Sequence, residues 1–96
     1  MNLNTSNDRQ RRRDQMTTDI VGRVLEAVKE ELGDAPVSLS REEREAIESS
    51  VLAHTRLVVD ALGTQEMQSE RALLSHVSNA RQETNRLIRE RRPAEW

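Results

Sequence analysis

The sequence predicts an all-α fold, either a small three-helix bundle or an intertwined helical oligomer, for three reasons. Apolar residues recur at intervals of three and four along three stretches of the chain. These stretches are separated or ended by Gly33, Pro36, Gly63 and Pro93. No stretch alternates apolar and polar residues in the way that a half-buried strand does.

The first predicted helix runs from about residue 16 to residue 32 and ends at Gly33. Its apolar residues cover nearly half of the helix circumference, more than contact with one neighbour requires. They are Met16, Ile20, Val21, Val24, Leu25, Ala27, Val28 and Leu32. We interpret residues 1–15 as a polar, Arg-rich arm, although the pattern leaves open whether residues 4–15 extend the helix. Residues 16–92 are then one helical domain, followed by a C-terminal tail at 93–96.

The second predicted helix covers about residues 40–62, and its start is the best-defined boundary in the chain. Ser40 and Glu43 have the spacing of a capping box, in which both side chains bind amide groups that the first turn leaves free. Two apolar stripes follow, so this helix is expected to contact neighbours on two sides. The first stripe is Ile47, Val51, His54, Val58 and Ala61, and the second is Leu52, Thr55, Val59 and Leu62.

The third predicted helix covers about residues 65–92, with Thr64 as its cap and Pro93 as its end. A short turn joins it to helix two, which favours an antiparallel hairpin. Its apolar stripe has heptad-like spacing: Leu73, Val77, Ala80, Thr84 and Leu87, flanked by Leu74 and Ile88. At about 1.5 Å per residue it would be roughly 42 Å long, against roughly 33 Å for helix two. Part of helix three is therefore expected to overhang the bundle.

The charges are unevenly distributed along the chain. Residues 17–50 carry four basic and nine acidic groups, a sum of −5, whereas residues 1–16 carry four basic and two acidic groups, a sum of +2. The simplest interpretation is a set of solvated helix faces. The alternatives are contact with an acidic protein surface, including the acidic middle of a second copy, or with nucleic acid. The candidate contact residues are Arg9, Arg11, Arg12, Arg13, Arg89, Arg91 and Arg92.

No group of residues in the sequence indicates catalysis, a metal or a cofactor. His54 and His76 have no His, Cys, Asp or Glu at the ligand spacing of three or four residues. Neither a Gly-x-Ser-x-Gly elbow nor a phosphate-binding glycine loop is present. The protein is therefore predicted to be non-enzymatic. His54 lies in an apolar stripe, and if it is buried and neutral, acid pH should weaken the packing around it.

A helix-turn-helix is an alternative for the junction between helices two and three, whose turn has a suitable length. A recognition helix starting at Gln65 would, however, bring Glu66 and Glu70 against phosphates. The chain also has a net charge of −2, and its only aromatic residue is Trp96, so the arginines have no stacking partners beside them. Nucleic-acid binding is therefore kept as an alternative that is not favoured.

The composition favours association with another protein. Without cysteine, Phe or Tyr, the core must consist of aliphatic side chains and has no disulfide to support it. Such a core in 96 residues is marginally stable, which makes oligomerisation an expected source of stability. We expect an assembly or adaptor protein that forms a homo-oligomer, with a dimer favoured, or joins a larger complex. The predicted interface residues are Leu52, Val59, Leu73, Val77, Leu87 and Ile88.

Two other functions stay open at this point. One is a nucleic-acid-associated transcriptional regulator that uses the Arg-rich ends, and the other is a small inhibitor or antidote that blocks a specific target. No apolar run approaches the roughly 18 residues that span a bilayer, and the N-terminal residues lack the apolar core of a signal peptide. We therefore expect a cytoplasmic protein with no membrane partner.

Overall fold

The computed structural model describes residues 3–36 and 38–91, which form four helices and no strand. These are α1 (Leu3–Gly33), α2 (Arg41–Asp60), α3 (Thr64–Gln68) and α4 (Glu70–Arg91). The predicted all-α fold is therefore confirmed, in the form of a small helical bundle. In the described part of the chain, none of the helices has both the length and the apolar character needed to cross a bilayer.

α2 is antiparallel to α1, whereas α4 runs parallel to α1. The chain reverses direction between Gly33, where α1 ends, and Arg41, where α2 begins. Leu73, near the start of α4, shares a groove with Ile20, and Arg81 further along α4 binds Glu30 further along α1 in a 2.8 Å ion pair. α2 and α4 are consequently antiparallel, as in the predicted hairpin, and α3 lies in the connection between them.

The core is aliphatic and lies between α1, α2 and α4. Its buried hydrophobic residues are Ile20, Val24, Ala27, Val28, Leu32, Ile47, Val51, Val59, Met67, Ala80, Leu87 and Ile88. Two threonines are buried among them, and each satisfies its own hydroxyl within its helix. Thr55 donates to the carbonyl of Val51 at 2.9 Å, and Thr84 donates to the carbonyl of Ala80 at 2.7 Å. Both polar groups are therefore buried without needing a partner from another helix.

Two predicted helix boundaries are confirmed, and the start of α1 is earlier than expected. The Ser40 hydroxyl accepts from the amide of Glu43 at 3.1 Å, and the Glu43 carboxylate accepts from the amide of Ser40 at 3.0 Å. α1 ends at Gly33 as predicted, but it begins at Leu3 instead of about residue 16. The Arg-rich segment is thus helical from Leu3, and one side-chain pair within it, Gln10 with Asp14 at 2.9 Å, has the spacing that supports a helix.

The prediction of one helix over residues 65–92 was wrong, because the chain leaves helical geometry at Ser69. Ser69 has an extended backbone, with ψ at 126°, and its hydroxyl accepts from the amide of Ala72 at 3.3 Å. Ser69 is therefore the N-terminal cap of α4. This hydrogen bond between its hydroxyl and the start of α4 competes with continuation of α3 through Ser69. Likewise Gly63, and not Thr64, occupies the capping position of α3. With 22 residues α4 is roughly 33 Å long, whereas α1 with 31 residues is roughly 46 Å long.

The first predicted stripe of α2 was wrong beyond Val51. The buried residues are Ile47, Val51, Thr55 and Val59, whereas His54 is exposed and Val58 is 36% exposed. A step of four residues turns the buried line by about 40° around the helix each time. The buried line therefore winds around α2, as expected where helices cross at an angle. The expectation that a buried His54 makes the packing sensitive to acid consequently does not apply.

Candidate partner-binding groove

An open groove of roughly 950 Å³ lies between α1 and the junction of α3 with α4. It exists because the chain bends at Ser69, so that α3 and α4 do not form one continuous helix alongside α1. We call it the α1/α4 groove. It is lined by Met16, Thr18, Asp19, Ile20, Gly22, Arg23 and Glu26 of α1 and, opposite them, by Met67, Gln68, Ser69, Glu70 and Leu73.

The floor of the groove is apolar. Ile20 and Met67 belong to the core, and Met16 and Leu73 are half-buried against it. Two of these four side chains are methionines, which are unbranched and polarisable and adapt their shape to what they contact. The floor is therefore suited to cover the hydrocarbon part of another side chain, without fixing one shape for it.

The rim of the groove is acidic. Among its lining residues Asp19, Glu26 and Glu70 are negatively charged and Arg23 is positively charged, three against one, which gives a formal charge of −2. Asp19 accepts from Gln15 on its own helix at 3.1 Å, and all four charged side chains are exposed. The field of such a rim favours a basic occupant over an acidic one.

Gly22 lies on this side of α1 and leaves open space there. An added Cβ at Gly22 would meet no atom within 4 Å, and its backbone does not have the positive φ that would require glycine. Glycine in a helix interior costs roughly 1 kcal/mol relative to alanine. The structure of the single chain offers no compensation for that cost, whereas the close approach of a second backbone would provide one.

The guanidinium of Arg13 joins α1 to the end of α2. It donates to the backbone carbonyls of Leu62 at 2.9 Å, Asp60 at 3.0 Å and Val59 at 3.4 Å. Because these residues close α2, the part of α1 before Arg13 projects beyond α2. We call residues 3–12 the overhang, and it is roughly 15 Å long. All side chains from Asp8 to Arg12 are exposed.

The apolar residues predicted to form an interface mostly support the fold of the single chain. Val59, Leu87 and Ile88 are buried in its core, and Leu52 and Leu73 are partly buried against it. Val77 is half-buried, and only Leu73 of the six lines the groove. Among the described side chains, the large hydrophobic ones that are exposed are instead Leu57 at 72%, Leu74 at 62% and Val58 at 36%.

The arginines predicted to contact an acidic partner are not brought together. Arg9, Arg11 and Arg12 are exposed on the overhang, and Arg13 binds α2. Arg89 and Arg91 lie at the end of α4, which is the opposite end of the bundle because α4 is parallel to α1. Arg92 lies outside the described residues. The overhang is therefore a basic surface of its own.

The two histidines lie on either side of a narrow crevice between α2 and α4. His76 has a buried Nε2 without a hydrogen-bond partner in the described structure, whereas His54 is exposed. Glu83 lines the same crevice, and its pKa is lowered chiefly by a hydrogen bond from Arg86 and less by the charges of Arg86 and His54. Among the residues described, no three His, Cys, Asp or Glu side chains converge as a metal site would require.

The apolar periodicity of the sequence does not predict the groove, because it assigns the polar side of helix one to solvent and extends helix three through Ser69 without a break. Two signals were present in the sequence. Gly22 interrupts a good helical stretch on its polar side, and Ser69 followed by Glu70 has the pattern of a capped helix start with an acidic first turn. Comparison with family models, with curated proteins and with solved structures found no match to this chain.

Proposed function

We propose that the protein is a non-enzymatic helical assembly protein, which self-associates by taking a helix of another copy into its α1/α4 groove. The observation that supports this most directly is the groove itself. It has an apolar floor and a charged rim, and between Met16 and Glu26 it extends along roughly 15 Å of α1. Binding of a helix in a groove of this kind is a recurring mode of protein recognition.

The groove favours a helix with arginines on the side that faces it. The hydrocarbon stem of an arginine can cover the methionines of the floor while its guanidinium binds a carboxylate of the rim. Asp19 and Glu70 lie on opposite walls, so a helix between them would have acceptors on both sides. The rim charge of −2 disfavours an acidic helix in the same place.

The overhang supports association from the other side. Residues Asp8–Arg12 contact no other helix closely enough to be buried, so this end of α1 lacks the tertiary packing that supplies most of the stability of helices in proteins. The pair of Gln10 with Asp14 contributes only a few tenths of a kcal/mol. Contact with a second chain would give this segment the tertiary support that it lacks within its own chain.

A protein partner fits this surface better than nucleic acid does. Arg9, Arg11 and Arg12 are preceded by Asp8 and followed, after Arg13, by Asp14, so acidic side chains flank this basic segment on both sides. Arg13 is already bound to the carbonyls that close α2. A polyanion gains affinity in proportion to the phosphates that are neutralised, and acidic side chains beside the arginines oppose this.

The proposal is tested by filling the groove. Gly22→Trp should abolish self-association, because the indole occupies the space that a second helix needs, while Gly22→Ala adds only a methyl group and should weaken association much less. Mass would be measured by sedimentation velocity over a wide range of protein concentration. Ser49→Trp, on the exposed side of α2, controls for the effect of a bulky surface residue. A wild-type chain that remains monomeric at the highest concentration, or association that Gly22→Trp leaves intact, would contradict the proposal.

A further inference from the structure

The charges on the groove side of α1 have a self-complementary order. Four charged residues alternate in sign along this side: Asp8, Arg12, Asp19 and Arg23. They are separated by four, seven and four residues, which places them within about 60° of each other around the helix. All four are exposed. Asp19 and Arg23 line the α1/α4 groove, and Asp8 and Arg12 continue the same side of the helix onto the overhang.

We infer that the helix bound in each groove is α1 of a second copy, packed antiparallel about a two-fold axis between Gln15 and Met16. This inference rests on the proposed function and specifies its geometry. Arg12 and Asp19 are equally far from that axis on opposite sides, and so are Asp8 and Arg23. Arg12 therefore opposes Asp19 of the partner subunit, and Asp8 opposes Arg23 of the partner subunit. Symmetry repeats both pairs, which gives four ion pairs between the two helices.

The lengths of the two surfaces agree with this arrangement. The overhang, residues 3–12, and the groove side from Met16 to Glu26 are each roughly 15 Å long and follow one another along one helix. An antiparallel pair therefore lays each overhang along the other copy's groove. The contact is isologous and closes after two copies, so it forms a dimer and not a filament.

Other arrangements of two α1 helices are less favourable. A parallel pair in register would place Asp8, Arg12, Asp19 and Arg23 each against its own like charge. Like charges across an interface cost free energy, which selects the antiparallel pair. Within the described part of the chain Asp8, Arg12 and Arg23 have no ion-pair partner that would compete with this contact.

Gly22 has a role in this geometry. It lies at the same level along the helix pair as Arg9 of the partner subunit, and the two positions are on opposite edges of the contact. The open space at Gly22 lets the two helices approach, and the stem of that arginine can then cover the apolar floor. Glu70, on the far wall of the groove, provides a carboxylate for the guanidinium of that arginine.

The arrangement is tested by charge reversals that repair one another. Arg12→Asp alone and Asp19→Arg alone should each weaken self-association by about tenfold or more, because each homodimer then contains two like-charged pairs. An equimolar mixture of the two variants should restore association, since each copy then meets opposite charges at both positions. Sedimentation velocity at low ionic strength measures all three samples, because surface charges are least screened there. Lys29→Asp, an equal charge change outside this surface, should have little effect.

The outcomes separate this inference from the proposed function. If the wild type associates and Gly22→Trp prevents it, but the mixture associates no better than either variant alone, the antiparallel α1 pair is wrong and helix-in-groove association stands. If the wild type does not associate, both are wrong. If circular dichroism shows that Arg12→Asp or Asp19→Arg has lost helix content, the same mixing experiment is done with Asp8→Arg and Arg23→Asp. Restoration in either mixture supports the inference, and failure in both overturns it.

Discussion

Replacing Arg13 with methionine should lower the free energy of unfolding by about 2 kcal/mol, because Arg13 closes the C-terminal end of α2 from outside that helix. α2 has no basic residue in its own last turn. The Arg13 guanidinium supplies the missing positive charge and binds three carbonyls there, at 2.9, 3.0 and 3.4 Å. Methionine keeps a similar length of hydrocarbon and removes the charge and the donors.

The magnitude follows from the exposure of the site. Hydrogen bonds to a charged group contribute about 1.5–3 kcal/mol each when well formed, so three contacts would give a larger total. Arg13 is only half-buried, however, and the carbonyls that it releases can bind water. We therefore expect about 2 kcal/mol and a melting temperature roughly 8–16 °C lower in a domain of this size.

The measurement is urea unfolding followed by circular dichroism, at one protein concentration for all variants because association raises apparent stability. Arg11→Met is the matched control, since Arg11 is exposed on the same helix, and it should change stability by less than about 0.5 kcal/mol. Arg13→Lys should fall between the two, because lysine keeps the charge without the planar fork of donors. Equal stabilities of Arg13→Met and Arg11→Met would refute the role assigned to Arg13.

Three further predictions concern stability. Gly22→Ala should raise the free energy of unfolding of the monomer by about 0.5–1 kcal/mol, because the methyl group meets no atom of its own chain and alanine restricts the unfolded chain. A lower midpoint in urea, at a protein concentration at which both chains are monomeric, would contradict this. Ile88→Ala should lower the free energy of unfolding by about 2–5 kcal/mol, since Ile88 is fully buried, whereas an interface role would leave the folded monomer unchanged. The hydrogen bond from Arg86 lowers the pKa of Glu83 in the folded chain, so its stabilisation is present above the ordinary value of 4.5 and is lost as the pH falls through the lower folded value. The free energy of unfolding of Glu83→Gln should therefore fall less than that of the wild type as the pH is lowered. The same acid dependence for both chains would contradict this.

The course of α2 illustrates what the sequence determines and what it does not. Ser40 and Glu43 satisfy each other's backbone amides, so the start of the helix depends on four consecutive residues and is predictable. After Val51 the sequence offers two continuations, His54 three residues on and Thr55 four residues on, and both are compatible with a helical period. Thr55 is buried because its hydroxyl bonds to its own helix and because the neighbouring helices cover that side. The second condition is not contained in the local sequence.

The break at Ser69 has a similar explanation. Serine within a run of helix-compatible residues either continues the helix or caps a new one, and a serine cap contributes only about 1 kcal/mol. Met67 of α3 is buried against the core at 5% exposure, and burial of a methionine side chain contributes more, roughly 1.5–3 kcal/mol. The groove depends on this break. A prediction that continues one helix through Ser69, as the apolar periodicity suggests, therefore cannot include the groove.

In the part of the chain that the structure describes, most large apolar side chains are buried or half-buried in its own core, which limits how it can bind a partner. Three of the six residues predicted as interface are buried, and the exposed hydrophobic residues Leu57 and Leu74 lie on different helices. Affinity must then come from the groove floor and from charged side chains, and exposed ion pairs contribute only about 0.2–1 kcal/mol each. The four pairs that we propose for the α1 dimer would make it reversible, with an affinity that falls as salt is added, because the screening length shortens to roughly 8 Å at physiological ionic strength. A dimer held through buried aliphatic residues would instead be insensitive to salt, or strengthened by sulfate. The dissociation constant measured against added sodium chloride and against sodium sulfate therefore distinguishes the two.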